Sequence, residues 1–418
     1  MQFHIVSFEG PDAYARAGGL ATRVEGLASA LACHGFDVHL WFIGDPAAPP
    51  VETVRGLHLH RWCQWLSRHH PLGVYQGEEP KRLDFASSLP PCLLESMAPH
   101  LRGGGHAVVL AEEWQTADVV LHLDWLLRRA ALRDRVTVLW NANNGFGFDR
   151  VDWPRLSQAA ALTTVSRYMK HAMRPLGVNP IVIPNGLAPE AFGIPERAAV
   201  RELHRRLRGR TGLVKIARFD PSKRWLDALG AAAEMKRLGW RPLLLARGGA
   251  EGHGRDVRRA AAAAGLRLAT RTLREPGERG VLDALVDLEG VDVVEILSHL
   301  DPPACKLLLR GAAVVLANSA HEPFGLVGLE AMAVGGLACT GSSGEDYAVA
   351  GRNALVLETD DPREIIGLYR PLRSSPDREV SLRAAGRLTA GAYAWSQILG
   401  RVLLPRLQML DAGLVPRD

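Results

Sequence analysis

Two glutamates and two cations mark the second half of the chain. In HEPFGLVGLEAMAVGG, residues 321–336, Glu322 and Glu330 stand with seven residues between them. The first falls in a loop after an apolar strand. The second lies about a turn into a helix that opens near 326–328. The start of a helix offers unpaired backbone N–H groups to an anion. Carboxylates beside it can accept hydrogen bonds from sugar hydroxyls. A plain helix start with a capping carboxylate would give the same spacing. In IARFDPSKRWLDALGAA, residues 216–232, Arg218 and Lys223 lie five residues apart at another helix start. Cations are unfavourable at that positive end of a helix, so an anionic partner is expected there.

Other chemistries find less support. Ser7 and Ser166 lie outside any G-x-S-x-G turn, and no Ser/His/Asp order stands out. Gly248-Gly249 and the 103–105 glycines lack the Lys-Ser/Thr of a phosphate loop. His58, His60, His69 and His70 cluster, but no carboxylate or cysteine accompanies them at ligand spacing. Surface or cleft histidines are expected over a metal site. Trp41, Trp62, Trp65 and Tyr75 could stack on a sugar or fill the core. The five cysteines are isolated, with no C-x-x-C, which argues against a disulfide framework or structural zinc and for a reducing cytoplasm.

The elements that must hold these residues alternate strand and helix. In the first half, strands are expected at 3–8, 37–44, 106–112, 135–142, 161–166 and 181–186. Helices are expected at 20–34, 117–132 and 167–174. Strand, helix and strand with short connections make a parallel, doubly wound sheet. Proline and glycine cluster at 184–195 and place a boundary near 190. The alternation then restarts, with strands at 212–217, 241–246, 291–297, 313–317 and 354–358 between helices. The expectation is α/β throughout, with a first domain at 1–190 and a second at 191–395. A C-terminal helix at 396–418 is expected to return to the first. Residues 57–91, rich in His, Trp and Pro, read as a long irregular stretch. The length of 418 residues and a 47% hydrophobic share suit two such domains. A formal net charge of +5 without a run of basic residues argues against nucleic acid. It suits a phosphate-bearing small substrate, or weak association with a membrane surface. The N-terminus lacks a signal-peptide pattern, and no apolar run is long enough to span a bilayer.

The string around Glu322 and Glu330 resembles the Glu-x7-Glu element of retaining GT-B glycosyltransferases of family 4. The resemblance implies two doubly wound Rossmann-like domains facing across a cleft. It implies that Glu322 holds the transferred sugar, that backbone N–H groups of Phe324, Gly325 and Leu326 contact the sugar or its phosphate, and that Glu330 binds the ribose. The stretch 216–232 is similar to the family's strand-loop-helix element, which implies that Arg218 and Lys223 face the diphosphate. Arg224 and Trp225 stand where many members have glycine after the lysine. Gly18-Gly19-Leu20 resembles the glycine loop that approaches the donor phosphates. TTVSRYMKHAM and VIPNGL resemble the end of the family's N-terminal domain and the strand between domains. The stretch from Val291 onward is similar to the one whose backbone holds the base, near Val294 and Ile296. Most of 160–400 fits well and 1–45 moderately, whereas 46–135 offers little. There are departures. Related starch and glycogen synthases carry a histidine after an Asp-Trp pair, where this chain has Gln115 in AEEWQTA. They carry a His-Asn pair where it has Trp140-Asn141. Asn141, Asn143 or Asn144 would supply a hydrogen bond in that place, which counts against a plain polyglucan synthase.

The implied activity is transfer of a hexose from a nucleoside diphosphate sugar to a sugar, glycan or small-metabolite acceptor, with retention. Arg218 and Lys223 would stabilise charge on the departing diphosphate, which would itself take the acceptor proton. No cofactor and no divalent metal are then needed, since the cations do that work. A non-catalytic GT-B protein that binds sugar or nucleotide is the alternative of a different class. A GT-B epimerase or phosphorylase is a third. The joint presence of Arg218, Lys223, Glu322 and Glu330 favours the transferase.

Overall fold

The computed structural model describes residues 1–411. Residues 412–418 of the expected C-terminal helix lie outside the described residues. The chain falls into two compact units, Met1–Ala188 with the segment from Tyr393 onward, and Pro189–Ala392.

The first unit is built on eight strands: β1 (Gln2–Val6), β2 (Asp37–Ile43), β3 (Val51–Val54), β4 (Leu57–Trp62), β5 (Ala107–Glu112), β6 (Val136–Ala142), β7 (Ala161–Thr164) and β8 (Ile181–Val182). They lie in the order β3-β4-β2-β1-β5-β6-β7-β8. All neighbours are parallel except β3 with β4. Alternation along β1, β2 and β4 assigns their two faces. Phe3, Ile5, Val38, Leu40, Phe42, Leu57 and Leu59 point into one core. The Gly19–Cys33 helix covers it with Leu20, Val24, Leu27 and Leu31, which recur every three or four residues. Each such side chain taken from water contributes about 1.5–3 kcal/mol.

The chain's last described segment completes the same core. Ile398, Leu399, Leu403, Leu407 and Leu410 pack within it, along a run from Trp395 to Asp411 that includes a π-helical turn at Leu399–Leu403. Trp395 is the anchor. A β-carbon on Gly26 would fall 2.2 Å from its ring, and one on Gly186 would fall 2.5 Å away. The Leu187 amide donates to Tyr393 O at 2.8 Å, and the Trp395 amide donates to Leu187 O at 3.0 Å.

The stretch 57–91 is not irregular. It holds β4 and most of a 25-residue helix, Glu78–Arg102, with Pro90, Pro91 and Pro99 inside it. Proline removes a backbone donor and clashes with the preceding turn. Burial outweighs that cost here. Phe85, Leu89, Leu93, Met97 and Leu101 recur every fourth residue and are each fully buried.

The second unit has seven strands: β9 (Thr211–Ile216), β10 (Pro242–Arg247), β11 (Leu268–Arg271), β12 (Val293–Ile296), β13 (Val314–Ala317), β14 (Ala338–Thr340) and β15 (Leu355–Val356). Their order is β11-β12-β10-β9-β13-β14-β15, and every pair is parallel. Trp225, Leu229, Ala232 and Met235 of the Trp225–Arg237 helix pack on this sheet with Leu213, Leu244 and Val314. No helix among the described residues is long and apolar enough to cross a membrane.

Candidate active site

In a doubly wound sheet the strand order reverses at a switch point, and ligands bind just beyond the carboxyl ends of the strands there. In the second unit that point lies between β9 and β13. The loop after β9 carries Arg218 and Lys223, and the loop after β13 carries Glu322. The two loops meet. Lys223 Nζ donates to Glu322 Oε2 at 2.6 Å, with both side chains about one-fifth exposed. Lys223 ends a single turn of 3-10 helix, Pro221–Lys223, started by Asp220, whose side chain accepts from the Ser222 amide. Arg218 is exposed and has no carboxylate partner among the described residues.

Glu322 is held from a third loop. Its amide donates to Ser343 Oγ at 2.8 Å. Gly344 permits the contact, because a β-carbon there would lie 2.1 Å from Glu322 O. The helix that follows, Leu326–Ala333, begins at Gly325 with φ +78, where glycine is favoured. No side chain caps it, and its first turn carries no acid. Its amide end therefore suits an anion. The Phe324 side chain is buried against Tyr347, so only its backbone can serve a ligand. The Tyr347 hydroxyl donates to Gly325 O and fixes the turn. Glu330 lies in the second turn, where burial pushes its carboxyl up to about 7.

Val294 and Ile296 sit inside β12, buried and paired with β11. The strand's free end lies just beyond them at Leu297, whose side chain is half exposed.

Two residues beside this site escaped the sequence reading. Lys215, buried on β9, donates to Asn318 Oδ1 at 2.6 Å and so ties β9 to the loop after β13. Burial, with Lys223 nearby, pulls its pKa down to about 7. Glu345, buried beneath Gly325, receives a hydrogen bond from Ser343 Oγ at 3.3 Å, and burial pushes it up to about 7. Lysine inside a β-strand was the available signal for the first. The second lay in an unread Gly-Ser loop.

The first unit has its own switch point, between β1 and β5. Gly18 and Gly19 open the helix there, but Glu9 already occupies its amide end. Glu9 Oε2 accepts from the amides of Ala17 at 3.3 Å and of Gly18 and Ala21 at 3.1 Å. Gly18 has open space where a side chain would stand. At the end of β5, Glu112 accepts from Arg23 Nε at 3.0 Å and from Nδ2 of Asn141 and Asn143 at 2.8 Å each. Asn141 Oδ1 accepts from Thr163 Oγ1 at 2.9 Å, so that amide is engaged on both sides. Asn143 and Asn144 remain half-buried, and Asn144 Nδ2 donates to Glu113 at 3.1 Å. The consecutive acids of AEEWQTA were the unread signal for this network.

Glu113 has φ +70, a strained setting for a residue with a side chain. Such strain costs of order 1–3 kcal/mol and gathers at functional sites. Burial pushes its carboxyl from 4.5 up to about 8. The folded chain then holds a proton that the unfolded chain releases. Stability is full below 4.5 and is lost as pH rises through about 8. Glu113→Gln removes the titrating proton. Thermal melts from pH 5 to pH 8 should show the variant gaining on the parent as pH rises. A difference independent of pH would count against a neutral Glu113.

No protein-family model matches the chain. A curated relative, D-inositol 3-phosphate glycosyltransferase 1 of Catenulispora acidiphila, is 32% identical over 106 residues. That match spans about a quarter of each protein, 25% of this chain and 25% of the relative. Solved structures match along nearly the whole chain. The catalytic domain of starch synthase IV from Arabidopsis thaliana, bound to ADP and acarbose, has a TM-score of 0.70 at 15% identity and covers 99% of both chains. Sucrose-phosphate synthase from Thermosynechococcus elongatus gives 0.66 at 19% identity, with 99% of this chain and 100% of that one covered. An α,α-trehalose-phosphate synthase (UDP-forming) from Burkholderia xenovorans, in complex with glucose-6-phosphate, gives 0.62 at 15%, covering 98% and 100%. The chain thus has the GT-B fold, in which each of two Rossmann-like units carries its own sheet, parallel but for β3.

Proposed function

We propose that this chain is a glycosyltransferase that moves a hexose from a nucleoside diphosphate sugar to a hydroxyl of a sugar, glycan or small-metabolite acceptor, with retention at the anomeric carbon. One observation carries the reading: the Lys223–Glu322 contact of 2.6 Å beside an uncapped helix start, at the switch point of the second unit. That point is where an open α/β sheet takes ligands. A cation and an amide-rich helix end suit a diphosphate. A carboxylate beside them suits the sugar attached to it.

In this reading Glu322 orients the hexose, and the backbone of Phe324, Gly325 and Leu326 receives sugar or phosphate. Glu330 takes the ribose hydroxyls. The base lies at the end of β12, past Val294 and Ile296. Arg218 and Lys223 stabilise charge as the glycosidic bond breaks. The departing phosphate accepts the proton of the attacking hydroxyl, which arrives on the same face. In the first unit, the Asn143 amide oxygen is the group offered to a hydroxyl; Asn144, like Asn141, is engaged on both sides, its Nδ2 by Glu113 and its Oδ1 by the Phe146 amide at 2.8 Å. Relatives named for ADP, for UDP formation and for sugar phosphates support a nucleotide-sugar chemistry.

Transfer should proceed without a divalent ion, because fixed cations take the place of one. The test is product formation from a panel of UDP-, GDP- and ADP-sugars in EDTA, with anomeric configuration read by NMR. Retained product in EDTA supports the reading. Strict dependence on added Mg²⁺ or Mn²⁺ would overturn the role of the cations. Nucleotide binding without transfer to any acceptor would leave a binding protein.

A further inference from the structure

The opposite, amino end of the first unit's sheet carries a cluster that this function does not use. The face of β1, β2 and β4 turned away from the main core bears Gln2, His4, Asp37, His39, Trp41, His58 and His60. His4 stacks on His39 at 4.8 Å between ring centres, and His39 stacks on His58 at 4.7 Å. His39 Nε2 and His58 Nε2 converge on one oxygen, Asp37 Oδ1, at 3.3 and 3.4 Å.

One set of tautomers satisfies the hydrogen bonds of this cluster together. Indole nitrogen can only donate, so Trp41 Nε1–H gives its proton to His4 Nδ1, at 3.2 Å. His4 must then donate from Nε2 to Gln2 Oε1, at 3.1 Å. That turns the Gln2 NH₂ toward Asp37 Oδ2 at 2.8 Å and His39 Nε2 at 3.2 Å. His39 Nε2 is therefore an acceptor, and His39 Nδ1–H donates to His60 Nε2 at 3.0 Å. The His39 Nε2 lone pair, which accepts from the Gln2 amide here, stands 3.3 Å from Asp37 Oδ1. A cation bound between them would take that lone pair in place of the Gln2 N–H. His58 can join, because Thr53 Oγ1 stands 3.0 Å from its Nδ1 and can accept a proton there, which frees Nε2.

We propose that Asp37, His39 and His58 form a binding site for a zinc-class divalent ion, with water at its fourth position. A tetrahedral ion with bonds of about 2.0–2.2 Å holds neighbouring ligand atoms about 3.3–3.5 Å apart. The two imidazole-to-carboxylate distances have that length, and all three ligand atoms lie within 4.8 Å of one another. His60 and Thr53 hold the far nitrogens of the two imidazoles, as metal-bound histidines require. Asp37 and His58 are solvent-accessible, so an ion can enter. The site lies at the strand ends remote from the carboxyl edge, so it serves stability or regulation rather than transfer.

The sequence reading set a metal aside because no carboxylate stood near the histidines in the chain. The parallel register supplies one: His39 pairs with His58, and Asp37 lies two residues earlier on the same face.

The test is zinc titration of untagged, metal-stripped protein, followed by calorimetry and by melting temperature. The parent should bind one Zn²⁺ per chain at this site and melt higher with it. Asp37→Asn and His58→Gln, both at accessible positions, should each weaken binding about tenfold or more while melting normally without metal. Co²⁺ should give the intense visible absorption of a four-coordinate site in the parent and lose it in either variant. Absence of zinc binding in the parent, or unchanged binding in both variants, would overturn the proposal.

Discussion

Glu322→Ala should lower kcat for transfer by about 10²–10³-fold, the scale of removing one preorganised group from a charge-stabilising site. The variant should remain folded. Glu322 and Lys223 are both partly open to solvent, so the orphaned ammonium can recruit water, and the loss of stability should be about 1 kcal/mol or less. The carboxylate has two jobs in the proposed reaction. It fixes the sugar in the orientation from which the bond breaks, and it holds Lys223 in place before the donor arrives. Glu322→Gln separates them. The amide keeps a hydrogen-bonding oxygen for the sugar but surrenders the ion pair. Its kcat should fall between the parent and the alanine variant. The measurement is kcat at saturating donor, with circular dichroism melts of each protein. A folded alanine variant with kcat within threefold of the parent would remove Glu322 from the reaction.

Much of this site was legible because its signals are local. A strand, a loop ending in glycine and a short helix lie within one continuous string at Glu322. Around Lys223 a strand, a loop ending in Arg224 and a 13-residue helix do the same. The contact between them is not local: the residues are 99 positions apart. Only the strand order, which places β13 beside β9, brings the loops together. What the sequence reading missed follows from the same distinction. Lys215 is explained by Asn318 across the sheet, and Glu112 by Arg23 and two asparagines from other segments. Neither pattern has a fixed spacing.

The helix Glu78–Arg102 was obscured for another reason. Its five buried apolar residues at every fourth position are a helical signal in plain view. The proline-rich composition argues against it, because proline's intrinsic cost in a helix interior, about 3 kcal/mol, is large. Propensity is a local term, and packing of a full apolar stripe exceeds it. The histidines of β4 show the same limit. Alternation along one strand is a local signal, but the residues these histidines meet sit on the neighbouring strand, and register is a tertiary property.

Arg218 and Lys223 provide the second large effect. Each cation should contribute to donor binding, and contribute more as negative charge grows on the leaving diphosphate. Removing either should cost about 2–4 kcal/mol in kcat/KM. Their environments differ. Lys223 is tied to Glu322, whereas Arg218 is exposed and without a carboxylate partner among the described residues. Lys223→Ala therefore also releases Glu322, and its loss should appear in kcat as well as KM. Arg218→Ala, which disturbs no existing ion pair, should act more evenly on binding and rate. Arg218→Lys should also be harmful, since the planar fork that can grip two phosphate oxygens is lost. The double alanine variant should lose less than the sum of the singles, because both cations act on the same charge. Steady-state kinetics on the four proteins, with nucleoside diphosphate affinity measured alongside, resolves these expectations. If Lys223→Ala lowered kcat/KM by less than threefold, the lysine would be a partner of Glu322 alone, and the diphosphate would have to bind elsewhere.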